Sequence, residues 1–375
     1  MDFDLTDEQS AVVELSTQLL GDLSTPDALR AIEAADPDRF DRALWAAMAD
    51  AGLLALCVPE ELGGAGLGLL ELCLVLREAG RRTAAVPAFA ALALGALPVV
   101  RYGTPDQQNR LLSPLAAGAT VMTAALSQAH GDPRSPGVTA TRRDDSWMLD
   151  GECSNVWAAT VADVVLVPAD TGSGPAVFIV DVASDGAEVT PQMTTSGTPQ
   201  GLISLASVRV ADEDVLGSLE QGTEILDGLL ALATVASCAL MAGVAAEAVR
   251  LSGVYTTERQ QFGRPLASFQ AVTQRAGDAY VDAQAIDLTM TQAAWRLDEG
   301  LPADREVAVA KFYAAEAGQR VVHAATHLHG GMGVDRDYPL HRYFLLAKQL
   351  ELFLGGSSRQ LLRLGALLAD EGASR

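Results

Sequence analysis

The feature that most constrains the fold is a stretch of 19 residues without a charged side chain, from Gly228 to Ala246. A helix of that length and composition either crosses a membrane or is buried almost completely inside a protein. The stretch is rich in alanine, lacks Trp and Tyr, and is flanked by Asp227 and Glu247, which is unlike a membrane span. We therefore predict a buried helix of a helical bundle, and no association with a membrane.

The charge balance limits the partners. The 375 residues include 26 Lys and Arg against 48 Asp and Glu, for a formal net charge of -22. Because the mean field is negative, it repels nucleic acid and anionic membranes, and any phosphate-bearing ligand must meet locally placed cations. The N-terminus has no basic segment of a signal peptide, and four separated cysteines suggest buried thiols in a reducing cytoplasm: Cys57, Cys73, Cys153 and Cys238.

Periodicity predicts the order α, β, α. Thr6-Asp7-Glu8-Gln9 and Thr104-Pro105-Asp106-Gln107 are capping boxes that begin helices, and Leu69 to Arg82 has a helical period. β-branched runs at 164–167, 176–180 and 203–210 predict strands. The helical period returns after Gly222 and persists nearly to the end of the chain. We expect an N-terminal helical domain over 1–115, a central β domain over 116–221 and a C-terminal helical bundle over 222–375.

Two short blocks in the C-terminal part could contact a phosphate. Arg259 precedes the turn Phe262-Gly263, and a guanidinium fixed there can bind a pyrophosphate through two hydrogen bonds. The run His329-Gly330-Gly331-Met332-Gly333 could bring backbone amides close to an anion. Taken alone, each block has a simpler explanation, a surface arginine at the end of a helix and a helix C-cap.

Other classes of site are disfavoured. His323 and His327 are one helical turn apart, but no carboxylate follows in sequence until Asp335, so we predict no metal site. The sequence also contains no nucleophile elbow, no phosphate loop ending in Gly-Lys-Ser/Thr, and no Gly-x-Gly-x-x-Gly after a strand. A Rossmann nucleotide site is therefore not predicted.

Together these blocks resemble the acyl-CoA dehydrogenase family, flavoproteins with an N-terminal helical domain, a central β-sandwich or barrel-like domain and a C-terminal four-helix bundle. The resemblance spans nearly the whole chain: Leu5 to Gln9, Val58 to Gly66, Gly103 to Leu112, Arg259 to Gln270 and His327 to Arg342. It implies an FAD cofactor, an acyl-CoA substrate, and an electron-transfer flavoprotein or similar electron acceptor.

The resemblance also implies which residues bind the flavin of a neighbouring subunit. In the family, the Arg-x-x-Phe-Gly block, the glutamine eight residues after its phenylalanine, and the Gly-Gly region reach across a dimer interface. Carried over, the cofactor-binding residues are Arg259, Gln261, Phe262, Gln270, His327 and Gly331. His327 stands where the family usually has glutamine.

The positions that hold a subunit's own flavin, and those that supply its catalytic base, differ from the family. Ser127-Gln128-Ala129 stands for Thr-Glu-Pro, and Asn155-Val156-Trp157 for Trp-Ile-Thr. Leu354 occupies the position of the usual catalytic glutamate, and Ala233, followed by Thr234, that of the alternative one. We therefore predict no catalytic residue in this chain.

Three interpretations follow. The first is a non-catalytic subunit that completes the FAD site of a paralogous partner in an α2β2 enzyme, similar to actinobacterial dehydrogenases of steroid side-chain CoA thioesters. The second is a self-sufficient homotetrameric dehydrogenase or oxidase whose base has moved to Glu351 or Glu258. The third is a scaffold protein that keeps the fold and binds neither flavin nor thioester.

Overall fold

The structure is a computed structural model that describes residues 3–126 and 132–373. Helices precede and follow a central sheet, which confirms the predicted α+β class. Two compact units are present, one made of Met1–Pro26, Cys73–Ala84 and Thr234–Arg375, the other of Asp27–Leu72 and Ala85–Ala233. The domain boundaries predicted after residues 115 and 221 stay a prediction.

The N-terminal helices begin at the predicted caps. Thr6 Oγ1 accepts a hydrogen bond from Gln9 N at 3.2 Å, and Thr6 N donates to Gln9 Oε1 at 3.1 Å. Thr104 and Gln107 repeat this reciprocal arrangement. A π-helical segment, Phe89–Ala96, leads directly into the fifth helix. The helices are α1 (Asp7–Leu23), α2 (Pro26–Ala35), α3 (Arg42–Asp50), α4 (Leu69–Arg82), α5 (Leu97–Tyr102) and α6 (Pro105–Ala116).

The described strands of the central part form one mixed sheet with the order β1-β4-β2-β3-β7-β6, in which β5 pairs with β4. Strands β1 and β2 run parallel to β4, and the other pairs are antiparallel. β4 and β5 are buried along almost their whole length, which explains their continuous apolar sequences. The strands are β1 (Met122–Ala124), β2 (Val138–Arg143), β3 (Ser146–Trp157), β4 (Val164–Asp170), β5 (Pro175–Asp181), β6 (Ala187–Gln192) and β7 (Gln200–Ala211).

The C-terminal part is helical apart from one short hairpin. Its elements are α7 (Gly222–Glu258), β8 (Gln260–Gln261), β9 (Arg264–Pro265), α8 (Gln270–Asp298), α9 (Asp304–His329), α10 (Leu340–Leu352) and α11 (Ser357–Ala373). Among the described residues, the segment Leu219–Glu258 is long and apolar enough to cross a bilayer, but 89% of its most apolar window is buried inside the protein. This burial agrees with the predicted core helix.

Two glycines bring α4 and α7 into backbone contact. A Cβ added at Gly80 would lie 2.2 Å from the carbonyl oxygen of Leu240, and one added at Gly243 would lie 1.9 Å from that of Arg77. Neither contact could relax by moving a flexible side chain, because the clashing atoms belong to the backbone. Small residues at both positions therefore fix the crossing of the two helices.

A lysine is buried in the core of the same unit. Lys311 on α9 is 1% exposed, and its Nζ donates a hydrogen bond to the carbonyl oxygen of Leu350 near the end of α10 at 2.5 Å. It forms no ion pair with any other residue that the structure describes. Burial lowers the pKa of Lys311 to about 8, and the nearby Cys238 and Glu351 offset part of that effect.

The stability of the chain should therefore depend on pH through Lys311. Between pH 8 and the ordinary lysine pKa of 10.5, the unfolded chain binds more protons than the folded chain. The free energy of unfolding should then rise with pH across this window, by up to about 3 kcal/mol relative to Lys311→Met. Urea denaturation of both proteins at several pH values measures the difference.

The variant keeps the buried thiols of Cys153 and Cys238, so their own titration contributes to both proteins. Parallel pH profiles for the wild type and Lys311→Met would show that Lys311 keeps its ordinary pKa in the folded chain.

Candidate functional site

The first predicted block forms a tight hairpin. Gln260–Gln261 pairs with Arg264–Pro265, and Phe262 and Gly263 form the two-residue loop between them. Both loop residues have positive φ, 53° and 78°, as a type I′ turn requires. Glycine adopts this conformation without strain, whereas an aromatic residue in it costs on the order of 1 kcal/mol. Phe262 is therefore held in a backbone conformation that its own side chain disfavours.

The ring of Phe262 is left in solvent. It is 91% exposed, and its described ring contact is an edge-on approach to Phe269 at 6.1 Å between centroids. The guanidinium of Arg264 lies over the ring of Phe269, 4.0 Å from its centroid, in a cation–π contact. The base of the hairpin is thus stabilised within the chain. The aromatic ring at its tip gains little from packing in the isolated chain.

Polar side chains beside the hairpin are also unused. Arg259 continues directly from α7, with its backbone N–H donating to the Tyr255 carbonyl at 2.8 Å. Gln270 is the first residue of α8, and none of the residues 270–278 is buried. Within the described chain, the side chains of Arg259 and Gln270 form no hydrogen bond or ion pair. Both are therefore available to a ligand or another chain.

The second predicted block closes the end of α9. Gly330 has a φ of 60°, and a short 3₁₀ turn runs over Gly330–Val334. A Cβ added at Gly333 would meet the carbonyl oxygen of Thr326 at 2.7 Å, so this glycine is needed for the turn to pack. A Cβ added at Gly331 would meet nothing within 4 Å, so its backbone borders open space.

An aromatic stack joins the two blocks, which are far apart in sequence. The ring of Tyr255, in the last turns of α7, lies on the imidazole of His329 with 4.4 Å between centroids and an angle of 25° between planes. Tyr338 packs against both rings. The end of α7, which carries Arg259, is therefore held against the end of α9, which carries His327 and Gly331.

His329 is kept neutral by its surroundings. Its Nδ1 donates to the carbonyl oxygen of Ala325 at 2.7 Å, which leaves Nε2 to accept from the hydroxyl of Tyr338 at 3.1 Å. Burial lowers the pKa of His329 below its ordinary value, and the bond to Ala325 offsets part of the shift. This histidine therefore positions the glycine turn and is not free to act as a ligand.

The three histidines of this region do not converge. His323 packs edge-on against Phe344 with 5.0 Å between centroids, His327 is exposed, and His329 lies in the aromatic stack. Over residues 3–126 and 132–373, no group of three metal-ligating side chains is found. The region is thus suited to binding through cations, amides and rings.

The predicted position of the catalytic base lies after α10. Leu354 has a φ of 54° and is partly exposed, while Gln360 Nε2 donates to the carbonyl oxygens of Leu354 and Gly355. The nearest carboxylate in sequence, Glu351, receives a bond from Lys348 Nζ at 2.5 Å. A leucine cannot accept a proton, and the neighbouring glutamate is already in an ion pair.

The other predicted positions lie in the unit that contains the sheet. Trp157, at the end of β3, is buried and packs edge-on against Phe89 with 5.1 Å between centroids. Its backbone carbonyl accepts a hydrogen bond from Thr123 Oγ1 at 2.7 Å. Asn155 is exposed with a φ of 54°, and Ala233 is fully buried. Ser127, Gln128 and Ala129 lie outside the described residues.

Comparison with known proteins identifies the architecture. Residues 6–119 match the acyl-CoA dehydrogenase N-terminal domain, and residues 220–368 match the acyl-CoA dehydrogenase C-terminal domain. The chain is 39% identical to the acyl-CoA dehydrogenase FadE27 of Mycobacterium tuberculosis, with 100% of each chain covered. This chain belongs to the acyl-CoA dehydrogenase family.

Two solved structures extend the similarity. One is the ChsE4–ChsE5 complex of Mycobacterium tuberculosis, with a TM-score of 0.93 and 40% identity over 98% of this chain and 99% of that one. The other is a variant of the Tcur3481–Tcur3483 steroid ACAD, with a TM-score of 0.92 and 40% identity over the same shares. The predicted similarity to steroid acyl-CoA dehydrogenases is confirmed.

Acyl-CoA dehydrogenases are FAD-dependent oxidoreductases, and the described residues fit part of such a cofactor. A guanidinium without an internal partner, an exposed aromatic ring and a glycine backbone facing open space are the groups that a pyrophosphate and a flat ring system require. All three kinds of group lie in the unit built around α7 to α11.

Sequence reasoning missed the residues that bring the site together. The predicted motifs give the side chains of Tyr255, His329 and Tyr338 no role. The stack of these three rings nevertheless joins the two blocks. The spacing of Tyr255, one helical turn before Arg259, was the available signal. The strain at Phe262 was also missed, because φ values cannot be read from Phe-Gly alone.

Phe262→Asn should stabilise the isolated chain. Asparagine followed by glycine is the favoured pair for a type I′ turn, and little contact area is lost from a ring that is 91% exposed. We expect the free energy of unfolding to rise by about 1 kcal/mol, measured by urea denaturation.

Gly263→Ala is the control with the opposite expected sign, because alanine at a φ of 78° should lower the free energy of unfolding. A loss of stability on Phe262→Asn would mean that the ring is needed by the fold of this chain itself.

Proposed function

We propose that this chain is the non-catalytic subunit of a heteromeric FAD-dependent acyl-CoA dehydrogenase. It would lend Arg259, Gln261, Phe262, Gln270, His327 and Gly331 to a flavin whose catalytic base belongs to a paralogous partner. The observation that carries this proposal is the combination of two side chains, Arg259 and Gln270, that have no partner among the described residues with a leucine in the position of the base.

The unused cation is the first support. The chain has a net charge of -22, and several arginines of the α7–α11 unit form ion pairs with carboxylates, as Arg250 and Arg320 do. Arg259 has no such partner among the described residues. A fully exposed arginine is common, but this one adjoins an exposed aromatic ring at a strained turn. These features together favour a contact outside the chain.

The exposed part of α8 is the second support. Residues 270–278 contain no buried side chain, and Tyr280, Val281 and Leu288 expose apolar surface farther along the helix. A helix uncovered over its first turns gains little from packing within its own chain. A partner subunit covering this segment would bury these side chains and place Gln270 in an interface.

The missing carboxylate is the third support. Bound FAD would supply the acceptor for the hydride from the β-carbon of the thioester. The α-proton must go to a base, and Leu354 and Ala233 cannot take it. General-base catalysis contributes about 100- to 10,000-fold, which corresponds to about 3 to 5 kcal/mol of activation free energy. In this proposal Arg259 binds phosphate oxygens, the Gly331 backbone borders the cofactor, and the partner removes the proton.

The residues aligned with the positions that hold a subunit's own flavin differ from those of the family, as the proposal requires. Trp157, aligned with the family's threonine, is committed to packing against Phe89. The nearby hydroxyl of Thr123 is occupied by the Trp157 carbonyl. The Trp157 ring and the Thr123 hydroxyl are thus both engaged within the chain.

The partner, substrate and location are proposed by similarity. The ChsE4–ChsE5 structure is a complex, and the Tcur3481–Tcur3483 protein is a steroid ACAD. We propose an α2β2 assembly that acts on a steroid side-chain CoA thioester in the cytoplasm and passes electrons to an electron-transfer flavoprotein or a similar acceptor.

The alternatives have less support. A relocated base at Glu351 would have to leave its ion pair with Lys348. Glu258 is exposed at the end of α7, as expected of a solvated charge at a helix end. A scaffold that binds neither flavin nor thioester would not require an aromatic ring in a strained turn.

Expression of the chain alone, and together with a paralogous acyl-CoA dehydrogenase subunit, tests the assembly. We expect flavin absorbance and acyl-CoA turnover in the co-purified pair and not in the chain alone, with the pair eluting as a heterotetramer. A yellow protein that is bleached by acyl-CoA in the absence of a partner would instead establish a self-sufficient dehydrogenase.

Arg259→Ala in the pair tests the donated contact. Loss of a charge-assisted contact of about 1.5 to 3 kcal/mol should weaken flavin binding by about 10- to 100-fold. The matched control is Arg143→Ala, which removes another exposed arginine without a described side-chain partner, on β2. Equal flavin affinity in both variants would favour the scaffold interpretation.

A further inference from the structure

A cavity of about 310 Å³ lies within the unit that contains the sheet. The described strands leave room for it, because β5 pairs with β4, whereas β7 beyond Leu205 pairs with β3 alone. The ends of β5 and β7 border this gap, and α6 contributes one wall. None of the lining residues belongs to the proposed flavin-binding set or to the positions aligned with a subunit's own flavin.

The inner wall of the cavity is apolar. It is lined by Leu111 of α6, Ile179 and Val180 of β5, and Val210 of β7, and all four are buried. A cavity of this volume is at the lower end of the range for ligand sites, so it suits a molecule of about ten non-hydrogen atoms. An aliphatic chain of a few carbons can occupy the apolar part.

The charged lining residues are half-buried or exposed, and two of them already satisfy each other. Arg110 Nη2 donates to Asp214 Oδ1 at 2.5 Å. Arg209, exposed on β7, forms no hydrogen bond or ion pair with any other described residue. Asp181, exposed at the end of β5, accepts a hydrogen bond from Ala183 N at 2.8 Å on Oδ1, and its Oδ2 has no described partner. One guanidinium and one carboxylate oxygen are therefore available to a ligand.

Two hydroxyls complete the polar lining. Ser184, in the turn after β5, and Thr120, just before β1, are both half-buried. Neither side chain forms a hydrogen bond with the rest of the described chain. Each can accept one hydrogen bond from a ligand.

The two available charges limit the class of ligand. A simple anion would be attracted by Arg209 and repelled by Asp181, and a simple cation would meet the reverse. A molecule that carries both charges on adjacent atoms is favoured by both side chains, because the cavity is small enough for them to reach neighbouring groups. The apolar inner wall adds the requirement for an aliphatic part.

We propose that this cavity binds a small aliphatic α-amino acid. Arg209 donates two hydrogen bonds to its carboxylate, which is the arrangement that a guanidinium favours. Asp181 accepts a hydrogen bond from its ammonium group, and the hydroxyls of Ser184 and Thr120 accept the other two. The aliphatic side chain lies on the apolar inner wall. This site goes beyond the proposed function and depends on neither the flavin nor a partner subunit.

A titration of the full chain with leucine, followed by saturation-transfer NMR, tests the ligand class. Leucine should bind with a dissociation constant in the millimolar range or below, as expected for a few charge-assisted contacts. Three analogues should each bind about 10-fold more weakly. These are 4-methylpentanoate, which lacks the ammonium group, 3-methylbutylamine, which lacks the carboxylate, and glycine, which lacks the aliphatic side chain.

Two substitutions test the residues. Arg209→Gln should weaken leucine binding about 10-fold and leave 3-methylbutylamine binding unchanged, because only leucine has a carboxylate. Asp181→Asn should weaken leucine binding about 10-fold and leave 4-methylpentanoate binding unchanged. The asparagine keeps an oxygen that accepts from Ala183 N, and both positions are exposed, so the two variants should fold.

The chain offers a matched control for each variant. Arg143→Gln removes another exposed arginine without a described side-chain partner, on β2. Asp170→Asn changes an exposed aspartate at the end of β4 that accepts from Gly172 N at 2.9 Å, as Asp181 does from Ala183 N. Neither residue lines the cavity, so both controls should bind leucine as the wild type does.

Three results would overturn the proposal. The first is the absence of leucine binding at about 20 mM. The second is 4-methylpentanoate binding as tightly as leucine, since the ammonium group would then make no contact. The third is loss of binding in Arg110→Gln and not in Arg209→Gln, since the carboxylate would then be bound by the other arginine. The flavin content of the co-expressed pair is a separate measurement, so either proposal can fail while the other stands.

Discussion

The arrangement of the C-terminal unit depends on the backbone contact between α4 and α7. Gly80 and Gly243 let the two helices approach until their backbones touch, and a methyl group at either position would overlap a carbonyl oxygen. This contact fixes one side of the charge-free stretch of α7, Gly228 to Ala246, which is largely buried. Tyr255 lies in the last turn of α7 and Arg259 follows the helix directly, so the placement of α7 sets where the hairpin and the aromatic stack can form.

Much of this architecture could be predicted from local patterns. The capping boxes at Thr6 and Thr104 follow from side-chain chemistry that acts within a few residues, and the bounds of α4 follow from the helical period of its sequence. The parallel pairing of β1 and β2 with β4 could not be predicted, because it depends on contacts between distant segments. The same reason explains why the blocks around Arg259 and Gly331 were recognised separately while the stack that joins them was missed.

Some arginines of this chain are bound in ion pairs, and others are available to a ligand. Arg77, Arg250 and Arg320 each bind a carboxylate of the same unit, and a strongly acidic chain makes such partners easy to find. Arg259 and Arg275 remain without one among the described residues, and both lie near the exposed start of α8. Exposed ion pairs contribute little to stability. An exposed arginine without such a pair therefore lowers the stability of the fold little and is available to a phosphate.

The turn that contains Leu354, at the position of the family's catalytic glutamate, is held by contacts that do not involve a carboxylate. A segment that must hold a carboxylate near a substrate needs a site that keeps it ionised and properly placed. Here Lys311 donates to the Leu350 carbonyl in the last turn of α10, and Gln360 donates to the carbonyls of Leu354 and Gly355 in the turn that follows, so the turn forms without a carboxylate. A chain that forms this turn with a leucine at the position of the family's glutamate fits the proposed role of a subunit that depends on a partner for the base.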